Sequence, residues 1–223
     1  MMTNLFSTFD PATSMKMSLN WTSTLMGMMI IPSLYWISPS RSNSMLNMLT
    51  SKLYMEFKML LGSNSKGFNL LIITTFMFIL MNNMMGLLPY IFTSSSHMTF
   101  TLSMALPLWM SMMIFGWANK YIKMFAHMIP NGTPGPLMPF MVLIETTSNL
   151  IRPGSLAVRL TANMIAGHLL MSLLGNNMTE SNYMIMPIIF LTQVMLMTFE
   201  TAVSMIQAYV FSVLTTLYSS EVN

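Results

Sequence analysis

Residues 184–218 read MIMPIIFLTQVMLMTFETAVSMIQAYVFSVLTTLY, 35 positions with one charge, Glu200. As a helix rising 1.5 Å per residue this stretch is about 50 Å long. The hydrocarbon core of a bilayer is about 30 Å thick. An upright helix would overshoot it, so the element is strongly tilted or partly outside the core. The stretch before it, Leu137 to Leu174, is also mostly apolar but contains Glu145, Arg152, Arg159 and His168. Residues 175–182 read as a turn between the two, with Gly175 as a helix C-cap. Pro153-Gly154 is expected to bend or break the first of the pair. The decisive stretch thus predicts a long, tilted helical hairpin over 137–218.

Working outward, the whole chain has the same character. Hydrophobic residues make up 54% of its 223 positions and charged residues 7%. The mean hydropathy is +0.61. Soluble domains carry roughly 25% charge, so a water-facing surface is excluded. Absence of cysteine excludes disulfides, iron–sulfur clusters and thiolate metal sites. Met stands at 32 positions, far more than packing asks for, and reads as a coding bias in which Met replaces Ile or Leu. The net charge of +3 comes from scattered residues without a Lys/Arg run, so nucleic acid is not an expected partner. The N-terminus resembles neither a secretory signal nor an Arg-rich transit peptide.

The fold class is therefore all-α and polytopic, with about five spans. One membrane domain covers 1–223. Residues 1–16 form an outer N-terminus. Residues 17–37 hold a first span, Leu19 to Ile37, with Pro32 inside it. Residues 44–62 form an amphipathic surface helix on which Leu46, Leu49, Leu53, Phe57 and Leu60 recur at three- and four-residue spacing, or a loop helix packed on the protein. Residues 68–118 make a two-span hairpin, broken at Thr93-Ser94-Ser95-Ser96-His97. Residues 129–136, with three prolines and two glycines, are a loop. Arg41, Lys52, Lys58 and Lys66 lie in one linker, and Lys120 and Lys123 in the loop after the third span. Both should face the inner compartment.

Charges inside a membrane cost about 2.5–3.5 kcal/mol each on insertion scales and so mark function. Here they concentrate in the last two segments. Along the hairpin Glu145 lies toward the inner end, Arg159 near the middle and His168 toward the outer end. On the returning helix Glu200 lies in the outer half and Gln207 nearer the middle. At 100° per residue Asn163 falls about 40° from Arg159, on one face, whereas His168 falls about 180° away. Ser155, Ala162 and Ala166 flank Arg159, and Ser204, Ala208 and Ser212 form a second small-residue strip; both would let a helix approach closely. Asn82 and Asn83 in the second span read as interhelical hydrogen-bonding groups. His changes charge near neutral pH, while Arg stays charged and can only block a proton or ionise a partner. Phosphate-loop, serine-hydrolase and zinc-peptidase motifs are absent from the sequence. The histidines at 97, 127 and 168 fall on different elements, which disfavours haem. No enzyme activity, cofactor or metal of its own is expected.

The run Leu156-Ala157-Val158-Arg159-Leu160-Thr161-Ala162-Asn163-Met164-Ile165-Ala166-Gly167-His168 resembles the signature of subunit a of F-type ATP synthases, most closely the animal mitochondrial form. Ile206-Gln207-Ala208-Tyr209-Val210-Phe211 is similar to the family's second signature. Gly86-Leu87-Leu88-Pro89-Tyr90, Ala105-Leu106-Pro107-Leu108-Trp109 and Pro130-Asn131-Gly132-Thr133-Pro134 also resemble family segments. The resemblance implies a proton-conducting stator in the mitochondrial inner membrane, beside a rotating ring of c subunits and other membrane stator subunits. It implies that Arg159 is the essential Arg between two half-channels, and that His168 and Glu200 line the outer one. It also implies that Asn163 and Gln207 lie near the Arg and that Glu145 belongs to the inner, matrix-side channel. The 137–218 hairpin would face the ring, with the N-terminus toward the intermembrane space and the C-terminus toward the matrix. Two other readings stay open. A self-contained proton or ion transporter would show inverted repeats, and no convincing repeat is found. A structural membrane subunit would use the charges only to pair helices.

Overall fold

The computed structural model describes residues 4–14, 17–32, 36–62, 67–129 and 134–222. Lys16, Lys66 and residues 130–133 of the expected loop lie outside the described residues. The described chain is mostly helical, with no strand among these residues beyond an isolated bridge between Ser14 and Met17. Seven α-helices follow in order: α1 (Ser23–Met29), α2 (Arg41–Leu61), α3 (Phe68–Gly86), α4 (Met98–Asn119), α5 (Tyr121–His127), α6 (Met138–Glu180) and α7 (Met186–Val222). Among the described residues four of them, α3, α4, α6 and α7, are long and apolar enough to cross a membrane.

The expected first span differs. A 3-10 turn at Leu19–Thr22 leads into α1, which ends at Met29. Together they reach about 16 Å at helical rise, half the core thickness. The physical cause is Pro32. Its nitrogen carries no hydrogen for the Met28 carbonyl, and that carbonyl takes the Ile31 N–H instead, at 3.2 Å, tightening the last turn. Residues 33–35 lie outside the described residues. Helix α1 leans on α3 where buried Gly27 meets Asn82.

The amphipathic helix is present as α2. Ser40 caps it by accepting the Asn43 N–H, and Gly62, at φ +74°, ends it. Its C-terminal half packs inward: Phe57 and Leu61 are buried with Ile72, against Leu53, Phe68, Ile73 and Val213. Leu49 and Leu60, expected on that same face, are exposed. The helix therefore docks on α3 and α7 while keeping apolar side chains outward. Lys120 and Lys123, expected in a loop, sit on the junction between α4 and α5 and on α5 itself.

The long hairpin is formed by α6 and α7, and it contains two departures from expectation. Helix α6 runs 43 residues without interruption through Pro153-Gly154 and past Gly175 to Glu180. Proline removes one backbone donor, and in a membrane helix neighbouring helices make good that loss. Here Pro153 is buried beside Ala105, Trp109 and Met112 of α4 and Phe211 and Thr215 of α7. Gly175 makes no cap because the helix continues. At about 65 Å, α6 is more than twice the core thickness, so it cannot stand upright inside the bilayer.

The centre is built where α3, α4, α6 and α7 converge. Ile79, Ala105, Leu156, Ala157, Leu160, Ala208 and Phe211 form one buried cluster. The strip Ser204, Ala208, Ser212 is fully engaged in this packing, each residue being buried. The other strip, Ser155, Ala162 and Ala166, is exposed. One small-residue face is thus used inside the fold, and the second is left bare around Arg159.

Candidate functional site

The antiparallel course of α6 and α7 fixes three levels. At one level Arg152 lies over the Tyr218 ring, 5.0 Å from its centre. At the next, Arg159 and Gln207 line one shallow surface indentation with Leu156, Leu160, Val210 and Phe211. At the third, Gly167 meets the Glu200 carboxylate. Counting helical rise, Glu145 lies about 21 Å from Arg159 in one direction along α6, and Gly167 about 12 Å in the other.

Arg159 is exposed. It makes no ion pair or side-chain hydrogen bond among the described residues. A guanidinium is charged at every physiological pH, and a bare charge at membrane depth is unfavourable. None of the described residues covers or neutralises it. Asn163, one turn further along, is half-buried on the same side.

Glu200 of α7 comes up against α6 at Gly167, the residue before His168. Without a Cβ there, the Glu200 carboxylate lies directly against the α6 backbone. Glu200 is 7% exposed. His168 is half-buried, with the Gly86 backbone within reach of its ring. Its Nε2 is buried and has no hydrogen-bond partner among the described residues. The helical-wheel separation of His168 from Arg159 thus has a structural meaning. His168 turns inward toward α3 and the N-terminal segment, while Arg159 turns outward.

Around this inward end lies a polar region. Thr93, Ser94, Ser95 and Ser96 are all buried. Thr93 and Ser96 bond to each other at 3.1 Å, whereas the Ser95 hydroxyl is unpartnered. Asn83 is fully buried between α3 and α7, donating to the Ser204 carbonyl at 3.4 Å while its own Oδ1 has no partner. Asn82 instead donates to Phe78 of its own helix. The interhelical bond expected of the Asn pair is therefore made by Asn83.

Glu145 has a partner that the sequence reading did not assign. Arg152, seven residues on, donates to its Oε1 at 3.3 Å. Both side chains are about a quarter exposed, at 24% and 26%. Glu145 stands well away from Glu200 and His168, with the Arg159 level between them along α6. Gly167 and Arg152 enter the sequence reading without a role of their own, and Tyr218 has none there. A glycine inside an apolar helix beside a histidine was the available signal for the first.

The sequence profile of the ATP synthase A chain family matches residues 13–220. The chain is 60% identical to "ATP synthase subunit a" of Locusta migratoria over 224 residues, covering all of both chains. It is 58% identical to the proteins of that name from Drosophila melanogaster, over 224 residues, and Aedes aegypti, over 226, again covering each chain completely.

Proposed function

The chain belongs to the ATP synthase A chain family, and from that premise we propose that it is the proton-channel stator of a rotary ATP synthase, with Arg159 standing between two offset half-channels. It works with the other subunits of that machine in a multi-pass inner-membrane setting. Glu200 and His168, with Asn163 and Gln207 nearby, serve the half-channel on the outer side. Glu145 serves the one on the matrix side. The N-terminus lies toward the intermembrane space and the C-terminus toward the matrix. The partner that covers Arg159 is the ring of c subunits, and ATP is made elsewhere in the complex.

One observation carries this reading: Arg159 is exposed, lacks an acidic partner among the described residues, and is bordered by the bare strip of Ser155, Ala162 and Ala166. A helix bearing a carboxylate can approach that strip closely. The guanidinium would hold the carboxylate ionised as it passes. A proton arriving past Glu200 and His168 neutralises the next carboxylate, which can then face lipid at low cost. After nearly a full turn that carboxyl releases its proton toward Glu145. Each charge moved gains about 2.3 kcal/mol per 100 mV. Arg159 cannot titrate, so no proton crosses directly between the two halves.

Arg159→Ala in the assembled complex, reconstituted in vesicles, tests the reading. Proton-driven ATP synthesis should be abolished. Normal coupled synthesis in that variant would overturn it.

A further inference from the structure

Residues 4–14 form a segment that the function above does not use. Its 3-10 turn, Leu5–Phe9, buries none of its own residues. Burial therefore does not fix where this turn sits. Yet its last residue, Phe9, stands edge-on to the His168 ring, with centroids 6.2 Å apart and planes at 89°. The Phe9 carbonyl in turn accepts a hydrogen bond from His97 Nε2 at 2.9 Å. A carbonyl can only accept, so Nε2 of His97 carries the hydrogen.

The His97 ring is itself immobilised. It stacks on Phe92 at 5.2 Å and lies against Trp21 at 5.4 Å. Trp21 also meets Phe92 edge-on, and Ser23 donates to the Phe92 carbonyl at 3.3 Å. A rigid aromatic stack thus points one N–H at one carbonyl, and that carbonyl belongs to the residue covering His168. Through this contact the two histidines, 71 positions apart in the sequence, are mechanically connected.

We infer that His97 is a positioning residue of the proton path, holding Phe9 as an apolar cover on His168. The cover fixes the plane of the imidazole and shields it from the side on which His97 lies. His168 then exchanges protons only through the polar interior near Glu200. This rests on the path proposed for His168.

The test is carbethoxylation of His168 by diethyl pyrocarbonate in the assembled complex, located by mass spectrometry. His97→Met should raise the His168 modification rate about five- to tenfold, the factor by which losing one hydrogen bond shifts an opening equilibrium. Phe9→Ala keeps the carbonyl but removes the ring itself, and should raise it at least as much. His97→Gln places an amide N–H near the position of Nε2 and should restore the wild-type rate, which a merely space-filling role would not do. If His97→Met does not assemble, His97→Ala supplies the missing-donor case, and Phe9→Ala leaves the aromatic stack untouched. An unchanged rate in Phe9→Ala, or His97→Gln behaving like the donorless variant, overturns the inference. The readout is modification and not proton flux. Normal ATP synthesis by a His168→Ala complex would remove the path and leave the cover standing.

Discussion

Gly167 and the Glu200 carboxylate occupy adjoining space so tightly that a methyl group on Gly167 would overlap the carboxyl group. This one missing Cβ is what lets a carboxylate of α7 lie directly against the backbone of α6, one residue before His168. Gly167→Ala should therefore displace Glu200 and lower passive proton conduction by the membrane sector by about ten- to a hundredfold, as misplaced reacting groups do. Alanine is the better helix former by about 1 kcal/mol, so a weakened helix would not account for the loss. Full conduction in that variant would show that the position of Glu200 is immaterial.

Arg159→Lys separates charge from shape. Lysine keeps the positive charge but loses the planar five-donor fork and can shed its proton when buried. Coupled ATP synthesis should fall about tenfold or more, with a measurable proton leak. Vesicle acidification assays read both quantities, and wild-type coupling would mean that charge alone suffices.

Asn83 makes one long hydrogen bond to Ser204 and leaves its oxygen unpartnered. Interhelical hydrogen bonds in membranes average about 0.6 kcal/mol. Asn83→Leu should thus change the thermal stability of the complex by less than about 1 kcal/mol. Asn83→Asp puts a charge in the same place and should cost about 2.5–3.5 kcal/mol. Equal melting temperatures for the two variants would contradict the buried placement.

The Glu145–Arg152 pair is partly solvated. A double-mutant cycle with Glu145→Gln and Arg152→Gln should give a coupling energy of about 1 kcal/mol or less. Removing the Tyr218 ring by Tyr218→Leu should cost a further 0.5–1 kcal/mol, roughly, from its contact with the guanidinium. A coupling several times larger would place the pair in a dry interior.

Much of this was legible in the residues. Apolar length gave α3, α4 and α7, and most of α6, whose continuation through Pro153 and past Gly175 it did not give. The spacing of Leu53 and Phe57 gave α2, and the signature around Arg159 gave the family. What was hidden depends on packing. The sequence marks Pro32 and Pro153 alike, but one ends a helix while the other sits inside one, because only Pro153 is enclosed by two neighbouring helices. Ser155 and Ser204 look equivalent as small residues, yet one strip is covered and the other bare. Glu145–Arg152 could have been expected from their seven-residue spacing on one helix face. The meeting of Phe9 with His97 and His168 could not, since nothing local relates the chain's first turn to α4 and α6.

The bare guanidinium also bears on how the molecule is made. A freshly inserted chain would present Arg159 to hydrocarbon and carry a penalty of about 2.5–3.5 kcal/mol until a neighbour arrives. That penalty is repaid only by docking. On the proposed function, biogenesis is thereby coupled to the supply of the covering helices.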